Sequence, residues 1–134
     1  MTDEKLREAY VKYQMLEQQL KQIQQQIKVI EQQIVEIETT KQALEEIGKV
    51  KVGEEMLVPV ANGIFIKAEI KDNQNAILNV GSEVAVEKPL SKAKKLMHDQ
   101  QEQVQLVHQQ LLGTMAKLGA QMQVLEQELQ KLVK

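Results

Sequence analysis

Cysteine and tryptophan are absent from this 134-residue chain, Phe65 is its one phenylalanine, and aromatic residues make up 2% of the total. Without cysteine there are no disulfides, no thiol chemistry and no zinc site built on thiolates. With so few aromatic side chains, the chain lacks the bulk on which a compact globular core draws heavily. No apolar run approaches the roughly 18 residues that a membrane span requires, so no membrane partner is expected. Basic charge is not in excess either. The formal net charge is −2, which removes the electrostatic footprint of a nucleic-acid binder. The opening residues MTDEKLREAYVKYQ are charged and have no apolar centre, unlike a secretory signal. The expected location is the cytoplasm.

What the chain does have is Leu, Ile, Val and Met at regular intervals among Gln, Glu and Lys. Alternating steps of three and four from Leu6 reach Ala9, Tyr13, Leu16, Leu20, Ile23, Ile27, Ile30, Ile34, Ile37, Lys41 and Leu44. Such a series keeps one stripe facing a partner as a helix supercoils, and predicts a coiled-coil arm. Gly48 is the expected C-cap, because glycine reaches the left-handed conformation without penalty. From Leu90 the same steps give Lys94, Met97, Gln101, Val104, His108, Leu111, Met115, Leu118, Met122, Leu125, Leu129 and Leu132. Pro89 suits the first helical turn. Gly113 and Gly119, inside this second helix, each weaken it by about 1 kcal/mol relative to Ala. An arm of this kind, at 1.5 Å per residue, is about 65 Å long.

Between the arms the apolar period changes to two. Strands are predicted over residues 55–60, 64–70, 76–80 and 83–87, with Ala61-Asn62-Gly63 and a two-residue Gly81-Ser82 as hairpin turns. Pro59 demotes the first strand to an edge or a bulge. The expected fold is mainly α with a small β segment: an arm over 1–48, two β-hairpins over 49–88, and a second, antiparallel arm over 89–134. A hairpin alone is marginal in water, and these strands carry apolar residues on both faces. They are therefore expected to pair with strands of other subunits, through Val58, Val60, Ile64, Phe65, Ile66 and Ile70 in the first hairpin. Ile77, Leu78, Val80, Val84 and Val86 serve the same role in the second.

In LVPVANGIFIKAEI at 57–70, in ILNVGSEVAVEK at 77–88, and in the two heptad arms, the chain resembles the alpha class of the prefoldin family. The resemblance covers essentially the whole chain, and the β segment is its most specific part. Two hairpins rather than one is the alpha-class pattern. The resemblance implies an oligomeric β-barrel platform in a hexamer of two alpha and four beta subunits, with coiled coils hanging from it. It also implies unfolded client proteins held at the arm tips and passed to a group II chaperonin.

No catalytic constellation is visible, and no cofactor, metal site or enzymatic activity is expected. His98 and His108 lie too far apart on one helix to form a metal pair, and NVGSE is too short for a phosphate loop. His108, in the seam, reads as a polar break in the packing. Antiparallel arms bring both chain ends to one tip, where apolar residues exceed the seam: Tyr10, Val11 and Met15 on one arm, Val124 and Val133 on the other. Together with the seam residues Leu6, Tyr13, Met122, Leu125, Leu129 and Leu132 they form the expected client-binding tip, where methionine suits an adaptable surface. The glutamines of KQIQQQIKVIEQQ admit two readings, a neutral helix-compatible surface or a device against charge-specific pairing of neighbouring arms. The functional expectation is an ATP-independent holdase. Its rival is a structural or tethering protein, a homo-oligomer or filament built on the same strands.

Overall fold

A computed structural model describes residues 2–133. Helix α1 spans Thr2–Lys49 and helix α2 spans Leu90–Val133. Between them lie strands β1 (Glu55–Ala61), β2 (Ile64–Glu69), β3 (Asn75–Asn79) and β4 (Ala85–Pro89). The strands form two separate antiparallel two-stranded sheets, β1–β2 and β3–β4.

The seam determines which helical residues are covered. Every α1 position from Leu6 to Leu44 in the three-four series is buried or half-buried, Ile47 extends the series, and the remaining positions from Asp3 to Lys49 are exposed. In α2 the series from Leu90 to Leu132 is likewise covered, and Ala93, fully buried, is added to it. A stripe this narrow buries few large side chains, and among the described residues no large side chain is completely enclosed.

The chain divides into two compact units, Met1–Ile34 with Gln103–Lys134, and Val35–Glu102. In the first, Ala9, Ile27 and Leu125 are the most buried seam residues. The Tyr13 hydroxyl donates to Glu126 Oε1 at 3.0 Å, as an antiparallel helix pair requires. In the second, Leu44 meets Leu90 and Ala93 in an apolar cluster, with Ile47, Met97, Ala76 and Leu78 packed against it. The second hairpin is thus seated on the helix pair through β3.

Three polar residues interrupt the α2 seam, and each faces a glutamate of α1. Lys94 Nζ lies 3.1 Å from Glu45 Oε1. Gln101, almost fully buried, donates through Nε2 to Glu38 and accepts at Oε1 from Lys41 Nζ at 2.7 Å. His108 Nε2 is 3.9 Å from Glu31 Oε2 and has no hydrogen-bond partner. The three glutamates recur at heptad spacing, as do the three residues they face. His108 is thus a polar break, as the sequence implies, but one with an acidic neighbour.

The hairpins differ in detail from the sequence reading. Pro59 disturbs β1 as expected: the register slips between Pro59 and Ala61, and Ala61 pairs with Ile64 across a two-residue turn. Of these two, only Gly63 has positive φ, 76°. The second turn is wider than two residues. Asn79 pairs with Ala85, leaving the five-residue loop 80–84, closed by Val80 N–H to the Val84 carbonyl at 3.0 Å. Gly81, Ser82 and Glu83 all take positive φ there, which a search for short glycine turns does not anticipate. Strand β4 consequently starts later and runs through Pro89, which pairs with Asn75 instead of opening the helix. Gly48 is not a cap but a helical residue, where an added Cβ lies in ordinary contact with Leu90 Cδ1 at 3.7 Å. The carbonyl of Val50, just past α1, accepts from Asn73 Nδ2 at 2.8 Å.

Candidate functional site

The first candidate surface follows from strand alternation. Cross-strand pairs place Val58 beside Ile66 and Met56 beside Ala68 on one face of the first hairpin. Leu57 beside Lys67 and Pro59 beside Phe65 occupy the other. Both faces are open: Val58, Val60, Ile64, Phe65 and Ile66 are all exposed, whereas Ile70, just beyond β2, is half-buried. In the second hairpin Ile77, Val80 and Val84 are exposed, Val86 is half-buried, and Leu78 is turned onto the helical cluster. Ile77 is 75% exposed, more than any other large apolar residue described. Leu57, 65% exposed, belongs to the same surface and was missed; its alternation with Pro59 across from Phe65 is the signal that finds it.

The second candidate surface is formed by the terminal turns of both helices. Tyr10, Val11, Met15, Val124 and Val133 are exposed, the five residues that exceed the seam by position. Leu6, Tyr13, Met122, Leu129 and Leu132 are half-buried and Leu125 is buried, as seam membership dictates. The exposed five do not form one patch. Met15 and Val124 line a groove of about 510 Å³ together with Leu16 and Leu125. Tyr10 and Val133 each follow a seam residue, which puts them on the other flank of the helix pair. A smaller groove of about 350 Å³ adjoins the first through Lys12 and Leu125, with Lys5, Glu8, Glu128 and Lys131 at its rim. Sequence reasoning did not identify Lys12, Gln19, Ala120 and Gln121 as lining, because a groove's walls depend on how the helices face each other. Tyr13 stays a neutral donor in this region: its hydrogen bond to the Glu126 carboxylate holds the phenol above its usual range.

His98 Nε2 lies 3.1 Å from Glu102 Oε1 on an exposed helical turn, and among the described residues no three metal-type side chains converge. Among the same residues no helix is long and apolar enough to cross a membrane.

Comparison with known proteins gives this architecture a family. The model of the prefoldin family, described as prefoldin subunit, matches residues 16–134. The prefoldin subunit alpha of Thermofilum pendens is 27% identical over 115 residues, covering 86% of this chain and 89% of its own length. That of Thermococcus onnurineus is 35% identical over 92 residues, 68% of this chain and 63% of its own. The fold is similar to a cryo-EM structure of filamentous PFD from Methanocaldococcus jannaschii, with a TM-score of 0.74 at 19% identity, over 91% of this chain and 98% of that one. The chain belongs to the prefoldin family, in its alpha class.

Proposed function

We propose that this chain is the alpha-class subunit of an ATP-independent holdase. Prefoldins are chaperones, not known as enzymes, so a general chaperone role follows from the family; the mechanism is our reading. Two copies join four beta-class subunits through the hairpins, whose strands close into a shared β-barrel platform. The observation that carries this is the first hairpin, a two-stranded sheet with exposed apolar side chains on both faces, Ile64 and Ile66 on one and Leu57 and Phe65 on the other. Water does not favour such a sheet alone, and its unpaired edges are templates for further strands. The terminal turns, with Tyr10, Val11, Met15, Val124 and Val133 exposed, hold unfolded clients. Seam residues of the same turns, Leu6, Tyr13, Met122, Leu125, Leu129 and Leu132, join them. Each tip binds weakly, and several tips on one platform raise the effective affinity without new contacts. Release comes from competition by a group II chaperonin rather than from nucleotide. The same strand edges would also serve a homo-oligomer or filament without clients, which is the alternative reading.

The test is to remove the first ten and last ten residues in every subunit of the complex and follow light scattering of a refolding client. Deletion takes away Leu6, Tyr10, Leu125, Leu129 and Leu132 and leaves the hairpins whole. Fully burying one such side chain contributes about 1.5–3 kcal/mol, so the tips hold a large share of the binding energy. The expected result is a complex of unchanged subunit count whose suppression of aggregation is weakened, since Val11, Met15 and Val124 remain. Undiminished suppression by an intact truncated oligomer contradicts the tip assignment.

A further inference from the structure

In the unit formed by residues 1–34 and 103–134, the two flanks of the helix pair are chemically unlike over the stretch from Met15 to Val29; nearer the helix ends both carry charges, with Lys5, Glu8, Lys12, Glu128 and Lys131 on the flank of Met15 and Val124. On one flank lie the residues that directly follow a seam position. Glu126 and Glu31, the partners of Tyr13 and His108, both belong to it, as do Glu17, Lys21 and Lys28. The other flank consists of residues that directly precede a seam position. There Met15 and Val124 line one groove, of about 510 Å³. Val29 and Val107 line a second, of about 660 Å³, with seam residues Ile30 and Leu111 as its floor. Val29 and Val107 are 53% and 40% exposed, and neither lies in the terminal turns. Between these two apolar stations the α1 row reads Gln19, Gln22, Gln26, without a charge.

We propose that this flank is a track for one extended segment of unfolded polypeptide, anchored by apolar side chains at both stations. The inference rests on the holdase reading and specifies what its client site takes. Met15 and Val29 are separated by about 21 Å along a helix rising 1.5 Å per residue. An extended chain covers that span in about six residues at 3.3 Å each, and side chains an even number apart point to the same side. The segment therefore carries apolar residues at i and i+6. Its backbone between them presents N–H and C=O groups, and glutamine amides both donate to and accept from these whatever the client's sequence. Lys12 borders the first groove, but the glutamine row between the stations is neutral and fits an uncharged backbone, while the charged flank opposite would impose a desolvation cost on it. One charge, Lys117, stands in the α2 row between the stations, so an acidic residue at the segment's middle is preferred to a basic one. This gives the run of glutamines a role that composition alone leaves open.

The experiment measures fluorescence anisotropy of a labelled, unstructured peptide with leucines at i and i+6, bound to the full complex. Replacing Val29 and Val107 together by Ser should weaken binding about tenfold, given the apolar area each contributes. A control on the other flank of the same unit, Leu112→Ser, also exposed, should leave it within about twofold. A peptide with Glu midway should bind about two- to fivefold tighter than one with Lys, the scale of an exposed ion pair, and Lys117→Gln should remove that preference. Equal weakening by the Val29/Val107 variant and the Leu112 control, or none by the first, overturns the track. If the complex still suppresses aggregation in that case, the holdase reading stands without it. A complex that neither binds the peptide nor suppresses aggregation overturns both.

Discussion

Asp72 lies between the two hairpins, and its carboxylate accepts from the Gln74 N–H at 2.8 Å, the Asn75 N–H at 3.2 Å and Asn75 Nδ2 at 3.0 Å. These bonds fix the turn from which the Gln74 carbonyl accepts the Leu90 N–H at 2.9 Å, at the start of α2. They hold the carboxyl below its ordinary value of 3.8, the Asn75 side chain being the largest cause. A depressed folded-state pKa contributes stability that is present above the unfolded value and lost as pH falls through the folded one. An NMR titration should therefore place the Asp72 carboxyl below 3.8, and Asn75→Ala should raise it; a value at or above the ordinary one contradicts the turn. Two glycines give a second residue-level prediction. A Cβ added at Gly113 or Gly119 meets nothing within 4 Å, so each Gly→Ala change gains helix propensity without a clash. Each should raise stability in urea by about 1 kcal/mol; destabilisation would show that these positions are contacted.

At the scale of elements, the helices and the first hairpin turn were legible and the second turn was not. The three-four series names every covered residue of α1 from Leu6 to Leu44, because a two-helix seam is one-dimensional and burial follows position alone. The glutamates opposite Lys94, Gln101 and His108 were not legible. They depend on the axial register of one helix against the other, which the segment between the helices helps to set and a single helix's pattern does not contain. The loop 80–84 was misjudged because Ser82 and Glu83 take positive φ, a conformation seldom adopted by these residue types. For the candidate surfaces, exposure of Tyr10, Met15 and Val124 could be read from heptad position; which of them share a groove could not. The hairpin faces carry the element-level prediction. Ile66→Asp with Ile77→Asp, both at exposed strand positions, should dissociate the oligomer while helical circular dichroism is retained, since the helices fold through their own seam. Native mass unchanged in that variant would remove the hairpins as the assembly interface.

For the whole molecule, the shortage of aromatic bulk and the exposed strands have the same consequence: the chain covers its helical seam by itself and leaves its β surface open. The seam buries residues that one chain can supply twice, once from each helix. The first hairpin has no such second layer and the second is covered on one face only, through Ala76 and Leu78, so Leu57, Ile64, Phe65, Ile66 and Ile77 remain in water, the surface that we propose other strands cover. The measurement that tests this most directly is native mass spectrometry of the 15.3 kDa chain mixed with a beta-class prefoldin subunit. Incorporation of two copies into a single hexameric species with four beta-class subunits is the predicted result. A chain that remains a 15.3 kDa monomer beside its partner would contradict it.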